Sequence, residues 1–260
     1  MGILNITPDS FSDGGVHFDQ SKAVHAALQM EGDGAAIVDI GGESTRPGAQ
    51  GLDAEHEIER VVPVIEQIRR RSDVPISIDT RKAAVAEAAI DAGADIINDV
   101  SAMRHDANMA RTAAKHGTPV ILMHMRGEPH NMQEFANYRD VVAEVGSELR
   151  ERVGEVRAAG VPADRILIDP GIGFAKTADH NLEILARCSE LTQIAPLVVG
   201  ASRKAFIGQI TGRTAGPDRM VGSLAAVGAA VRGGAAIVRV HDVRDTIDFL
   251  RVLTAIESKR

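Results

Sequence analysis

Residues 166–174 read ILIDPGIGF and predict a buried strand that ends on a carboxylate. Three branched apolar residues open the stretch with no polar alternation, which is typical of a strand covered on both faces. Asp169 follows them, and Pro170 with the glycines after it ends the strand. Barrels and open parallel sheets of the α/β class place their chemistry at this end of their strands. The stretch therefore predicts a functional carboxylate at Asp169.

The same pattern, a short apolar run that ends on a polar residue, recurs along the chain. Eight such runs predict strands at residues 2–6, 35–40, 75–79, 95–100, 119–125, 166–169, 197–200 and 235–240. Helical periodicity fills the segments between them, with Pro63 inside the second helix, where we expect a kink or a new start. This alternation without a linker predicts one domain, residues 1–260, folded as an α/β, (β/α)₈ TIM barrel. A doubly wound sheet is the alternative, but it normally uses fewer strands, and no GxGxxG motif follows the first strand.

The bulk composition restricts the classes of function. The 260 residues carry a formal net charge of -7, so there is no general basic surface for nucleic acid or an anionic membrane. Aromatic residues make up only 3%, which fits an aliphatic core of parallel strands. The single Cys188 excludes an internal disulfide, and neither a signal peptide nor a membrane-spanning run is visible, so we expect a cytoplasmic protein. Because the chain begins almost inside its first strand, we also expect a few residues upstream of it.

Polar side chains at several predicted strand ends suit a flat heterocycle. Asp79, Asn98 and Asp169 each follow an apolar run. A carboxylate accepts two parallel N–H bonds, and an amide both donates and accepts. Together these groups fit an amino-pyrimidine edge such as that of a pterin or guanine.

Cationic side chains at the same end suit a phosphate group. Arg46, Lys204, Arg239 and His241 stand out against the acidic background. Asn5, at the end of the first strand, offers a hard oxygen that could hold Mg²⁺ together with phosphate oxygens. Two long loops, residues 7–15 and 41–51, lie above the same mouth, and we expect them to close over a bound substrate.

Each of these residues also has a structural interpretation. An Asp at a strand end often caps the next helix, which applies to Asp169 and Asp79. Asn98 could satisfy backbone groups, and Lys204 could begin a solvated helix, although a cation there opposes the helix dipole. His124 lacks the neighbouring ligands of a zinc site, so we interpret it as structural.

Six segments of the chain resemble the signature segments of the dihydropteroate synthase family: ILNITPDSFSDGG, GGESTRPGA, IIND, LIDPGIGF, VGASRKAFIG and RVHDV. They occur in the family's order and span residues 2–243. The resemblance implies a (β/α)₈ barrel of folate biosynthesis, usually a homodimer. It implies an enzyme that uses Mg²⁺ to join 6-hydroxymethyl-7,8-dihydropterin diphosphate to 4-aminobenzoate and releases diphosphate. Sulfonamides would compete with 4-aminobenzoate for binding.

The resemblance also implies roles for individual residues. The pterin ring would be bound by Asp79, Asn98, Asp169 and Lys204. The diphosphate would be bound by Asn5, Arg239 and His241, with Asn5 on Mg²⁺. The aminobenzoate would be surrounded by Phe11, Thr45, Arg46, Pro47, Phe174, Ser202 and Lys204. Apart from the resemblance, we interpret Met123 as part of the pocket wall. We expect the catalytic contributions to come from Asp79, Asp169, Lys204 and Arg46.

Two departures from the family pattern lie in the opening stretch. Ile172 stands where Phe is commoner, and Ala175 where Gly is commoner. Ile172 is expected to remove one aromatic side chain from the loop and Ala175 to reduce its backbone freedom, which would affect aminobenzoate and sulfonamide binding. They leave room for a pterin-binding but catalytically silent paralogue.

Two further alternatives come from other classes. A pterin-binding module for methyl transfer would need neither TRPGA nor SRK, and this chain has both. A phosphate-binding barrel aldolase would place a Schiff-base lysine inside a strand, whereas Lys204 follows one.

Overall fold

The eight predicted strands form a parallel barrel. The computed structural model describes residues 1–6, 20–44 and 51–259. Its strands are β1 (Gly2–Asn5), β2 (Val38–Gly41), β3 (Ile76–Asp79), β4 (Ile96–Asp99), β5 (Val120–Met123), β6 (Ile166–Asp169), β7 (Val198–Val199) and β8 (Ile237–Val238). β1 to β6 pair in order as one sheet, and β7 pairs with β8.

Two short bridges join the sheets into a closed ring. Ile168 of β6 pairs with Leu197, immediately before β7. Gly2 of β1 pairs with Val240, just after β8, and the Ile3 amide donates to the Val240 carbonyl at 2.9 Å. The strands therefore follow chain order around a complete circle, which confirms the predicted (β/α)₈ barrel. β7 and β8 are shorter than predicted, at two residues each.

Helices alternate with these strands along the chain. They are α1 (Gln20–Gly32), α2 (Ala54–Arg69), α3 (Ala83–Asp91), α4 (Met109–His116), α5 (Val141–Ala158), α6 (Ala178–Arg187), α7 (Ala205–Thr211), α8 (Met220–Arg232) and α9 (Val243–Glu257). α2 continues through Pro63, so the helix does not restart there. Its inner face is fully buried and carries Val61, Val64, Ile65 and Ile68.

The core is aliphatic and divides between the two halves of the barrel. One cluster of buried residues runs from Leu4 through Ile78 to Ile166 and lies under α1 to α4. A second surrounds Ile168 and Val199 and lies under α5 to α8. Burial of this branched, stiff aliphatic surface fixes the strand ends that line the mouth of the barrel.

Candidate active site

An arginine and two carboxylates from three strands meet inside the barrel. Arg239, just after β8, donates from Nε to Asp39 Oδ2 at 2.6 Å and from Nη2 to Asp79 Oδ2 at 2.8 Å. Asp39 lies inside β2 and is fully buried, and the Asn98 amide of β4 donates to it at 3.3 Å. The network thus joins side chains from β2, β3 and β4 and the end of β8. Two residues predicted to bind the pterin, Asp79 and Asn98, are therefore connected by this hydrogen-bond network.

Burial and charge set the protonation of this network. Burial raises the pKa of Asp79 to about 7, with Arg239 opposing the shift and the Asp39 charge adding to it. Burial also disfavours the charged form of Arg239, but the carboxylates of Asp39 and Asp79 outweigh it and raise the arginine pKa. The guanidinium therefore stays charged and binds both carboxylates at once.

Asp169 faces the same interior from β6. Its Oδ1 accepts a 2.7 Å bond from the Gly171 amide, which holds the turn that Pro170 begins. An atom added at Gly200, at the end of β7, would lie 3.7 Å from Asp169 Oδ2 and 3.8 Å from Arg239 Cβ. Asp169 therefore approaches the arginine network across a glycine. It does not cap α6, because Thr177 does, so the helix-cap interpretation of Asp169 is wrong.

Asp79 does not cap a helix either. Lys82 occupies the N-cap position of α3, without a side-chain cap bond, and the Asp79 carboxylate is bound to Arg239. Asp99, the neighbour of Asn98, does have a structural role. Its oxygens accept from the Ser101 and Met103 amides at 2.7 and 3.0 Å, so it holds the turn after β4.

Lys204 brings a cation and Phe174 an aromatic face to the mouth. Lys204 Nζ lies 4.2 Å from the centre of the Phe174 ring, a cation–π distance. Gly173 makes this approach possible, because a side chain there would begin 3.0 Å from Lys204 Cδ. Burial, together with the Arg239 charge, lowers the pKa of Lys204 to about 8, while Asp169 and Asp79 act in the opposite direction. The protonation of Lys204 therefore depends on the charges of Arg239, Asp169 and Asp79.

Ser202 and His241 form a pair beside Arg239. The Ser202 hydroxyl lies 3.1 Å from His241 Nδ1 and accepts from the His241 amide at 3.2 Å. Burial and the charges of Arg203 and Arg239 lower the pKa of His241 to about 4. His241 is therefore an uncharged hydrogen-bonding group at neutral pH, and not the cation that the sequence analysis expected. The neighbouring positive charges are those of Arg239 and of Arg203, which is paired with Asp242.

Asn5 occupies a position compatible with magnesium. It is the last residue of β1 and is partly exposed at the end of the strand. β1 neighbours the β8 end that carries Arg239 and His241, as the Ile3–Val240 bond shows. One amide oxygen fits an ion that takes most of its ligands from phosphate and water. No cluster of three His, Cys, Asp or Glu suited to a metal occurs in the described ranges.

The two family departures affect different parts of the structure. Ile172 is 1% exposed and belongs to the core cluster under α5 to α8. Its expected effect on aminobenzoate and sulfonamide binding stays a prediction. Ala175 has a φ of 50°, in the left-handed region that favours glycine. Met123 packs in a small cluster against Phe174, as expected for a pocket wall.

Asp39 is the site residue that the sequence analysis missed. It lies within the apolar run AIVDIG and not at its end. Because the residues on both sides of it are apolar, the sequence does not indicate which face of the strand carries Asp39. Its signal is a carboxylate inside an otherwise apolar strand, which is rarely buried without a partner. Phe11, Thr45, Arg46 and Pro47 lie outside the described residues, so their predicted roles stay predictions.

Comparison with known proteins agrees with this geometry. The pterin binding enzyme family matches residues 1–241. The dihydropteroate synthase of Synechocystis sp. is 46% identical over 257 residues, covering 98% of this chain and 89% of the relative. That of Escherichia coli strain K12 is 47% identical over 266 residues, covering 100% and 93%. The chain belongs to the dihydropteroate synthase family.

Solved structures of the family share the whole fold. Xanthomonas albilineans dihydropteroate synthase with 4-aminobenzoic acid superposes with a TM-score of 0.93 at 45% identity, covering 98% of this chain and 92% of that one. The same enzyme in complex with 7,8-dihydropteroate gives 0.90 at 42% identity, again over 98% and 92%. The Yersinia pestis dihydropteroate synthase with a sulfonamide drug gives 0.93 at 43% identity, over 100% and 93%. In the described part of this chain, no helix has the length and apolar character of a membrane span.

Proposed function

We propose that this chain condenses 6-hydroxymethyl-7,8-dihydropterin diphosphate with 4-aminobenzoate to give 7,8-dihydropteroate and diphosphate. The observation that supports this best is the meeting of Asp79, Asn98, Asp169, Lys204 and Arg239 at one end of the barrel. The relatives with 4-aminobenzoic acid, 7,8-dihydropteroate and a sulfonamide bound support the same substrates, and sulfonamides as competitors.

The carboxylates and the amide bind the pterin. Asp79 and Asp169 accept N–H bonds from the amino-pyrimidine edge, and Asn98 both donates and accepts. Asp79 leaves its bond to Arg239 for the ligand, which frees the guanidinium to bind the diphosphate. Pterin and diphosphate binding thus favour each other through one arginine.

Bond breaking precedes bond making in the proposed reaction. The C–O bond between the pterin methylene and the diphosphate breaks, and the reduced ring shares the resulting positive charge. The amine nitrogen of 4-aminobenzoate then forms a C–N bond to the methylene and loses one proton, to solvent or to the released diphosphate. Asp79 and Asp169 stabilise the cationic ring electrostatically, and Arg239 stabilises the leaving diphosphate. The protein thus acts by positioning, charge stabilisation and exclusion of water, and the proposed reaction uses no covalent intermediate with the protein.

Asn5 would hold a Mg²⁺ ion beside the diphosphate. Such an ion would neutralise part of the leaving group's negative charge. A magnesium requirement and a homodimer remain expectations from the resemblance, and a cytoplasmic location remains an expectation from the sequence composition.

A diphosphate-release assay tests the proposal. Both substrates with Mg²⁺ should give one diphosphate per 7,8-dihydropteroate formed. The same reaction without 4-aminobenzoate should give slow net release at most, because the cation formed by C–O cleavage returns to the bound diphosphate unless water, which the site excludes, captures it. Pterin binding without turnover would instead identify a catalytically silent paralogue.

A further inference from the structure

A lysine lies buried behind the active-site loop with no described carboxylate within ion-pair distance, although the charges of Asp169 and Glu148 act on it at longer range. Lys176, two residues after Phe174, is only 4% exposed. Among residues 1–6, 20–44 and 51–259, its ammonium has two hydrogen-bonding partners, His124 Nδ1 at 3.0 Å and the Phe174 carbonyl at 2.9 Å. In that part of the chain, no acidic group pairs with it. Burying an ammonium in this way is costly, so its position is expected to serve a purpose.

The hydrogen-bond directions around His124 are fixed by Glu148. Its carboxylate can only accept, so the ring hydrogen sits on Nε2, and Nδ1 of the neutral ring accepts from Lys176. Nε2 then donates to Glu148 Oε2 at 3.0 Å, and Arg126 donates to the other oxygen of that carboxylate from Nε at 2.9 Å. The lysine is therefore held at the end of a chain of bonds that begins on α5.

This chain of bonds ends on the backbone of the active-site loop. The Phe174 amide donates to the Gly171 carbonyl at 3.0 Å, and its carbonyl accepts from Lys176. Both backbone groups of Phe174 are thereby fixed, and its ring is presented to Lys204. An atom added at Gly171 would lie 3.5 Å from Lys176 Nζ, so the ammonium is packed directly against the turn.

We propose that Lys176 is a positioning residue for 4-aminobenzoate, which holds the Phe174 carbonyl so that the Phe174 ring remains beside Lys204. This inference rests on the proposed function, in which Phe174 and Lys204 bound the aminobenzoate. The Lys176 ammonium is occupied by His124 and by the Phe174 carbonyl. Its effect on the aromatic substrate passes through the backbone of Phe174.

Lys176→Met tests the proposal, because methionine keeps most of the length and loses every donor. We expect the KM for 4-aminobenzoate to rise at least about tenfold, since small misplacements of binding groups have large kinetic effects. The dissociation constant for the pterin should change far less than this KM, because the Asp79 and Asn98 contacts remain and Lys176 acts on Asp169 through its charge alone, not through a hydrogen bond. Lys176→Gln retains an N–H donor and should recover part of the aminobenzoate KM.

Tyr138→Phe is the matched control. The Tyr138 hydroxyl donates to the next carbonyl of the same loop, that of Ala175, at 3.0 Å. If the loop only needs stability, the two variants should alter KM in proportion to their loss of melting temperature. If Lys176 positions Phe174, only Lys176→Met should change the KM for 4-aminobenzoate.

The outcomes separate this inference from the proposed function. A wild-type enzyme without turnover would refute the proposed function alone. The crystal structure of Lys176→Met would then decide the inference, and an unmoved Phe174 would overturn it. With turnover, an unchanged aminobenzoate KM in Lys176→Met, or an equal rise in the KM values of both substrates, would also overturn it.

Discussion

At the scale of single residues, the two oxygens of Asp169 do different work. Oδ1 holds the turn through the Gly171 amide, and Oδ2 points toward the interior beside Gly200. Burial raises the pKa of this carboxyl, while the Gly171 amide and the charges of Lys204 and Arg239 favour its ionised form. One side chain therefore shapes the loop and serves as a ligand-binding group.

Asp169→Asn should weaken pterin binding by ~1.5–3 kcal/mol, because an amide offers one acceptor where the substrate needs a charged one. Calorimetric titration with a pterin ligand measures this loss. Asp95→Asn is the control, since Asp95 binds the Ile76 amide at the opposite end of the strands. Equal pterin affinities in wild type and Asp169→Asn would show that Asp169 holds the turn but does not bind the pterin.

Arg239→Met should destabilise the fold as well as the site. It leaves Asp39, which is fully buried, without its cation. Removing one partner of a buried ion pair costs ~3–5 kcal/mol. Urea denaturation gives the free energy of unfolding. Adding Asp39→Asn removes the unpaired charge, so the double variant should regain much of the loss. Failure of that recovery would show that the loss comes from packing or from Asp79, the second carboxylate bound by Arg239, and not from Asp39.

At the scale of elements, the loop between β6 and α6 is the part of the site most tightly specified. Gly171 has a φ of 68°, and a side chain there would begin 1.9 Å from the His124 carbonyl. The turn must therefore pass directly over the end of β5. This close approach is what places Lys176 against His124 and Phe174 at the mouth.

Gly171→Ala should cost far more stability than the conformational penalty of alanine alone. Gly117, which ends α4 with a φ of 64°, is the matched comparison, because a side chain there meets nothing within 4 Å. Gly117→Ala should cost ~1–2 kcal/mol from the left-handed backbone. Gly171→Ala should cost ~1–3 kcal/mol beyond that from the clash, and should weaken pterin binding through Asp169. Equal unfolding free energies for the two variants would contradict the close approach.

The sequence predicted those elements whose signal is local. An apolar run with a polar tip identifies Asp79, Asn98 and Asp169, because parallel strands bring their ends together. The pairing of Arg239 with Asp39 joins residues 200 positions apart and has no local signature. The orientation of Ile172 was also undetermined, because a loop has no side-chain period that separates core from site. Its burial follows from tertiary packing alone.

At the scale of the whole molecule, unfolding releases buried groups whose proton affinities differ from those in water. Burial, with the charge of Lys176, lowers the pKa of His124 to about 4, whereas Glu148 acts to raise it. Asp79 has the opposite behaviour, since burial raises its pKa to about 7. Stability between pH 4 and 7 therefore reflects two contributions of opposite sign.

The His124 contribution can be isolated with His124→Gln. From about pH 4 to the ordinary histidine pKa of 6.5, unfolded chains bind a proton at His124 that folded chains do not, so its contribution to stability increases with pH. The contribution is complete above pH 6.5 and is lost as the pH falls toward 4. Asp79 titrates in both proteins and cancels in the difference, and Lys176, with its pKa lowered to about 7, remains largely charged through the window. The difference in unfolding free energy between wild type and His124→Gln should therefore grow by ~3 kcal/mol from pH 4 to 6.5. Urea denaturation at half-unit pH steps measures it, and a difference independent of pH would show that His124 is protonated in the folded protein.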